Sequence, residues 1–239
     1  MDMLTGKQIA DADLTDWRKL AQGLHARFLI EDFGAGVRLL EAVAEAGDEL
    51  GHHPTVAMGG AHLDLTLVSD DAVYRDASGT EHVVGWVTQK DVDLARRISA
   101  LAAGHGIEAD PASVSDLELG LHTASSAVIA PFWAVLLTGG ADAQGRGTPS
   151  DEVRDATGRV PNLWFDDAAP DADRAATPGH RFLLEIYLPA EVRDERIAAA
   201  VAAGGRVVDD SAVPSLTVLA DQDGNQVVVC VDTSAVASA

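Results

Sequence analysis

Residues 37–54 constrain this chain more than any other stretch. Val37, Leu40, Val43, Ala44 and Leu50 recur at helical spacing, which predicts an amphipathic helix with one face in a core. The helix has to stop before Pro54, because proline lacks the backbone N–H and holds the preceding residue, His53, in an extended conformation. His52 and His53 therefore stand at a helix exit. Imidazole is the side chain best suited to exchanging protons near neutral pH. Two roles fit the pair: complementing the negative end of the helix dipole, or serving as a general acid and base.

The flanking elements define an α+β domain. Thr5 and Gln8 have the spacing of a capping box, and a second helix start is expected at Thr15, leading into Trp17, Leu20 and Leu24. Residues 26–33 read as a strand, broken by Gly34-Ala35-Gly36. Strand, Gly-x-Gly and helix resemble part of a dinucleotide fingerprint, but the third glycine is absent, so these glycines read as hinges and no cofactor is expected. Residues 55–58 form a short strand, Gly59-Gly60 a turn, and residues 61–68 alternate, with His62, Asp64 and Thr66 opposite Leu63, Leu65 and Leu67. Residues 69–80 look like an acidic hairpin insertion. Thr88 and Asp91 then cap a helix through Val92, Ala95, Ile98 and Leu101 to Gly104.

This order, together with Trp17-Arg18, Arg27-Phe28, Asp32-Phe33, Gly51-His52-His53-Pro54, residues 63–67 and Thr88-Gln89-Lys90-Asp91-Val92-Asp93-Leu94-Ala95, resembles the pterin-4a-carbinolamine dehydratase family. The resemblance covers roughly the first hundred residues, the span of a small domain. It implies a four-stranded antiparallel sheet with helices on one face, a homo-oligomer, and dehydration of a 4a-hydroxytetrahydropterin. In that chemistry one proton goes to the departing hydroxyl and another leaves the adjacent ring nitrogen, which two imidazoles of opposite protonation can accomplish. Adjacent histidines diverge by about 100° on a helix and are poorly disposed to chelate one ion, so His52 and His53 are expected to act as acid and base, not as metal ligands.

The family has a third histidine at the end of the following strand. Counted forward from His53 that position falls on Asp70; counted back from Asp91 it falls on His82, the assignment favoured here, with Asp70 left open. The resemblance places Asp48 one turn before His52, where it would orient that ring, and makes Asp91 a supporting residue. The aromatic positions after His-His-Pro are occupied by Thr55, Val56 and Gly60, a departure that leaves pterin or another heterocycle as the substrate.

Residues 107–114, with Pro111, read as a linker between a domain at 1–106 and a second at 115–239. In the latter, residues 117–122 alternate as a strand, 125–137 form a helix, and strands follow at 162–165, 182–188, 206–208, 216–220 and 226–231, with a helix at 191–203. Ala130-Pro131-Phe132-Trp133, Pro161-Asn162-Leu163, Gly204-Gly205-Arg206 and Asp221-Gln222-Asp223-Gly224-Asn225 resemble glyoxalase-like members of the vicinal oxygen chelate superfamily, which implies paired βαβββ modules around a cavity. The positions that hold a metal in active members of that superfamily fall on Leu183 and Val228, so no metal is expected. Glu118, His122, His180 and Glu185 read as structural or surface residues.

The 38 Asp and Glu against 17 Lys and Arg give a net charge of −21, which argues against a nucleic-acid partner. Cys230 stands alone in an apolar run and reads as core, and no apolar stretch is long enough to cross a bilayer. Met1-Asp2-Met3-Leu4 does not begin a signal sequence, so a cytoplasmic chain is expected. Three functions compete: a pterin carbinolamine dehydratase (a lyase), a diverged dehydratase of specialised-metabolite biosynthesis, and a non-catalytic module for small-molecule binding or oligomerisation.

Overall fold

Leu24, Ala26 and Phe28 point into a core from one strand while His25, Arg27 and Leu29 face away, and this alternation sets the first sheet. The computed structural model describes residues 1–123, 126, 130, 133–134, 152–153, 161–167, 182–202, 204–220 and 226–233. They divide into one unit built on Met1–Ser115 and a second built on Asp116–Tyr187 and Asp194–Cys230.

In the first unit, β1 (Arg18–Leu20), β2 (Gly23–Leu29), β4 (His62–Leu67) and β3 (Thr55–Met58) lie in the order β1-β2-β4-β3, all antiparallel. The register sets Leu24, Ala26 and Phe28 opposite Leu67, Leu65 and Leu63, so one face of the sheet is apolar throughout. Onto it pack α2 (Phe33–Leu50), through Leu39, Val43 and Ala46, and α3 (Gln89–Gly104), through Val92, Leu94, Ala95 and Ile98. Phe28 is fully buried there. Truncation of such a side chain to Ala costs about 3–5 kcal/mol. On the opposite face Arg27 donates from Nε and Nη2 to its cross-strand neighbour Asp64, at 2.6 Å each.

The short helix α1 (Gly6–Ala10) is closed by the Thr5–Gln8 capping box. β5 (Ser69–Arg75) and β6 (Glu81–Trp86) form a separate two-stranded ribbon, and β7 (Glu108–Ala109) adds to the edge of β2. Ile107 and Ala109, from the segment expected to link the domains, pack against this unit's core.

Two local expectations are corrected. No helix starts at Thr15; Trp17 immediately precedes β1, and Leu20 and Leu24 belong to the β1–β2 hairpin, whose turn passes through Ala21 at φ 43°. Helical spacing of three apolar residues is shared by a short hairpin whose turn shifts the phase. Gly34 and Gly36 also are not hinges but lie inside α2, which Asp32 starts by accepting the Ala35 N–H at 2.7 Å. A Cβ on Gly36 would come within 2.6 Å of the Met58 sulfur and 2.9 Å of Ile30 Cδ1, so this glycine lets the helix approach the sheet.

In the second unit, β8 (Asp116–Thr123), β9 (Glu152–Val153), β10 (Leu163–Asp167), β11 (Phe182–Tyr187), β12 (Arg206–Asp209), β13 (Leu216–Ala220) and β14 (Gln226–Cys230) form one sheet in the order β12-β13-β14-β11-β8-β10-β9. β8 pairs parallel with β10, β11 pairs parallel with β14, and β8 and β11 meet antiparallel at the centre. The same pairing pattern thus occurs twice about the middle of the sheet, as two related modules require. α4 (Arg193–Ala202) follows β11. Most of the segment expected to form a helix at 125–137, together with His180 and residues 221–225, lies outside the described residues. Among the described residues, no helix is long and apolar enough to cross a membrane.

Candidate active site

Gly51 ends α2 at φ 60°, ψ 37°, a left-handed conformation that costs glycine little. Its N–H turns back to the carbonyls of Asp48 and Gly47, and the His52 N–H also reaches Gly47 O at 3.0 Å. His52 and His53 therefore follow the cap instead of filling the last helical turn, and the separation of their rings comes from the chain's exit, not from helical spacing.

The two rings have different partners. The His52 side chain is 13% exposed, and its Nε2 lies 2.7 Å from Oδ1 of Asp91, which is fully buried. His53 is 53% exposed, with Nε2 at 3.0 Å from Oδ1 of Asp48 on the preceding turn, itself open to solvent. Gly47 makes room for this second ring: a Cβ there would come within 2.5 Å of His53 Cδ2.

Asp91 occupies the first turn of α3 because it caps that helix. Its Oδ2 accepts the Thr88 N–H at 2.7 Å and the Thr88 hydroxyl at 3.0 Å. The Ser69 hydroxyl donates to the same oxygen at 2.7 Å and lies 2.8 Å from Thr88 Oγ1. Burial acts to raise the Asp91 pKa, but the hydrogen bonds from His52, Thr88 and Ser69 outweigh it and hold the carboxyl below its ordinary range. A buried anion has thus been fixed beside an imidazole by three donors and a helix start.

Ser69 and Thr88 were missed as site residues in the sequence. Ser69 is the first residue of β5, opposite Trp86 in the ribbon register, and only 2% exposed. A serine at the exit of an alternating apolar strand, immediately before Asp70, was the available signal. Asp70 itself is exposed. His82, on β6, has its Nε2 3.0 Å from Asp76 Oδ2 and stacks on Tyr74 with ring centroids 6.0 Å apart. The structure thus brings His52 to Asp91, and Asp48 to His53 instead of to the His52 ring it was expected to orient, while the polar and aromatic contacts of His82 lie within the ribbon.

The second unit carries a different polar group. Glu118 and Glu185 are directly opposed across β8 and β11. Glu118 accepts from Asn162 Nδ2 at 2.8 Å, and Glu185 accepts from Trp164 Nε1 at 3.2 Å and the Tyr187 hydroxyl at 3.3 Å. Burial, and then the charge of Glu118, raise the Glu185 pKa. Among the described residues, no group of three or more His, Cys, Asp or Glu is placed to hold a metal ion.

Comparison with known proteins agrees with this division. Residues 2–101 match the model of the pterin 4 alpha carbinolamine dehydratase family, and residues 118–230 that of a glyoxalase-like domain. A protein of Nocardia farcinica with the name "Putative pterin-4-alpha-carbinolamine dehydratase" is 33% identical over 103 residues, covering 42% of this chain and 96% of that protein. A Streptomyces coelicolor protein of the same name is 35% identical over 95 residues, covering 40% of this chain and 83% of that protein. A crystal structure described as a transcriptional coactivator/pterin dehydratase from Brucella melitensis aligns with a TM-score of 0.35 at 23% identity, covering 42% of this chain and 99% of that one.

Proposed function

The chain belongs to the pterin 4 alpha carbinolamine dehydratase family through its first hundred residues, and from that premise we propose that it is a lyase that removes water from a 4a-hydroxytetrahydropterin or a similar carbinolamine. The observation that carries the reading is the pairing of two adjacent imidazoles with separate carboxylates, His52 with buried Asp91 and His53 with exposed Asp48. One ring removes the proton from the ring nitrogen next to the carbinol carbon. The other protonates the departing hydroxyl. The C–O bond breaks, a C=N bond forms, and water leaves with both protons accounted for. Asp70, beside Ser69 and open to solvent, is available to contact substrate at the strand exit.

The exposed Thr55 and Val56, where the family has aromatic residues, favour a second reading in which the heterocycle is not a pterin. The exposed edge of β3 supports a homo-oligomeric assembly, to be read from the solution mass. Following the ultraviolet spectrum of a freshly generated 4a-hydroxytetrahydropterin tests the pterin reading. Acceleration over buffer by the full-length protein supports it. An unchanged rate, with turnover of a different carbinolamine, moves the function to the second reading.

A further inference from the structure

We infer that Asp91 and Ser69 are positioning residues that hold neutral His52 in its Nε2–H tautomer, so that Nδ1 is the nitrogen with which this ring takes a proton. The inference rests on the dehydratase reading for its purpose but on proton accounting for its content. Asp91 is ionised, because its hydrogen bonds outweigh its burial. An ionised carboxylate can only accept hydrogen bonds. The 2.7 Å contact between His52 Nε2 and Asp91 Oδ1 therefore requires the proton on Nε2. A neutral imidazole has only one such proton, which leaves Nδ1 as its single lone pair.

The other carboxylate oxygen is fully engaged. The Thr88 N–H fixes Asp91 Oδ2 from the helix start, and the Ser69 and Thr88 hydroxyls approach the same atom. With Oδ2 held, the plane of the carboxylate is set and Oδ1 faces the ring. Ser69 and Asp91 are almost fully buried, so water does not compete freely for these contacts. His53 has no equivalent arrangement. Its partner Asp48 is exposed and can move. The asymmetry assigns the roles: His52, with a fixed tautomer, is the base, and His53, beside a solvent-accessible carboxylate, is the acid that protonates the departing hydroxyl.

The test reads the tautomer in the free protein, without substrate, from long-range proton–nitrogen NMR spectra of the full-length chain at a pH where the ring is neutral. His52→Ala and His53→Ala assign the two rings. The expected result is an N–H-type Nε2 and a lone-pair-type Nδ1 for His52. Asp91→Asn should reverse the pattern, because an amide bound through its oxygen to the Thr88 N–H presents its NH₂ to His52 Nε2 and moves the ring proton to Nδ1. Ser69→Ala keeps the charge and both Thr88 donors but removes the third donor to Oδ2, which loosens the carboxylate against the ring and should give a measurable share of the Nδ1–H form. If Asp91→Asn does not fold, Ser69→Ala carries the test. An Nδ1–H ring in the wild type, or a folded Asp91→Asn that retains Nε2–H, or a Ser69→Ala spectrum identical to wild type, overturns the inference. Failure of the dehydration assay with the expected tautomer would overturn the functional reading alone.

Discussion

His52 Nε2 lies 2.7 Å from the fully buried carboxylate of Asp91, which also accepts the N–H of Thr88, the N-cap of α3. One side chain thus serves helix initiation and ring orientation. Removing it should affect both. Asp91→Ala leaves the Thr88 N–H, the Ser69 hydroxyl and the His52 ring without their acceptor, at a cost of about 2–4 kcal/mol. The expected readout is a lower urea midpoint, with a larger fall than for Asp48→Ala. The exposed ion pair of Asp48 with His53 contributes less than about 1 kcal/mol.

Gly47→Ala sets two effects against each other. Helix propensity favours alanine by about 0.5–1 kcal/mol. The new methyl, however, would come within 2.9 Å of the His52 carbonyl and 2.5 Å of His53 Cδ2. The carbonyl belongs to the backbone at the helix exit and cannot swing aside, so the collision should win. The variant is expected to be destabilised in urea and to lose dehydration activity by at least about tenfold, because displacement of a proton-transfer group is amplified in the rate. An active and more stable variant would show that the ring is free to move.

His25 gives the first unit a pH dependence apart from the carboxylates. Burial, followed by the nearby charge of Lys19, lowers its pKa from 6.5 to about 4, against the opposing effects of the Leu20 backbone and Asp64. The unfolded chain therefore binds the proton more readily. This contribution to stability is complete above pH 6.5 and is lost as pH falls toward 4. Between pH 6.5 and 5 the loss is about 2 kcal/mol at 1.36 kcal/mol per unit. Urea melts over that range should show it, and His25→Gln should flatten the slope.

His82 and Asp70 differ in their surroundings: Asp70 is exposed at the exit of β4, and we propose that it, not His82, assists the proton transfer. His82 is occupied by Asp76 and Tyr74 within the ribbon. His82→Ala should change the dehydration rate by less than about threefold, within the range of an indirect effect. Asp70→Asn is expected to lower it by about tenfold or more, on the scale of a group that assists proton transfer. The reverse order of effects would return the third position to His82.

Cys230 should be inert in the folded protein. Burial, reinforced by the negative charges of Glu185 and Glu118, pushes its thiol up to about 12, and the thiolate is the reactive form. Alkylation at pH 8 should proceed only in denaturant, followed by intact mass. Rapid labelling of the native chain would contradict the buried placement.

Much of this was legible in the sequence because it depends on periodicity and on caps. The alternation of Leu63, Leu65 and Leu67, the capping box at Thr5, and the stop at Gly51 and Pro54 each reflect local backbone chemistry, and each element stands where it was expected. The Trp17–Leu24 segment failed because a tight hairpin can imitate helical spacing when its turn uses a residue of positive φ, here Ala21. Gly36 failed for another reason: its necessity lies in Met58 and Ile30, which are remote in sequence. Ser69 is legible only as a serine at a strand exit; its value arises when β5 and the start of α3 are brought together around Asp91.

The central claim, that His52 and His53 transfer the protons of a dehydration, is tested most directly by stopped-flow ultraviolet spectroscopy of a 4a-hydroxytetrahydropterin generated in the syringe. The full-length protein should accelerate the loss of water over buffer. His52→Ala and His53→Ala, each shown to be folded by circular dichroism, should each lose about 10²–10⁴-fold of that acceleration. A folded His52→Ala or His53→Ala that keeps the wild-type rate would contradict the account.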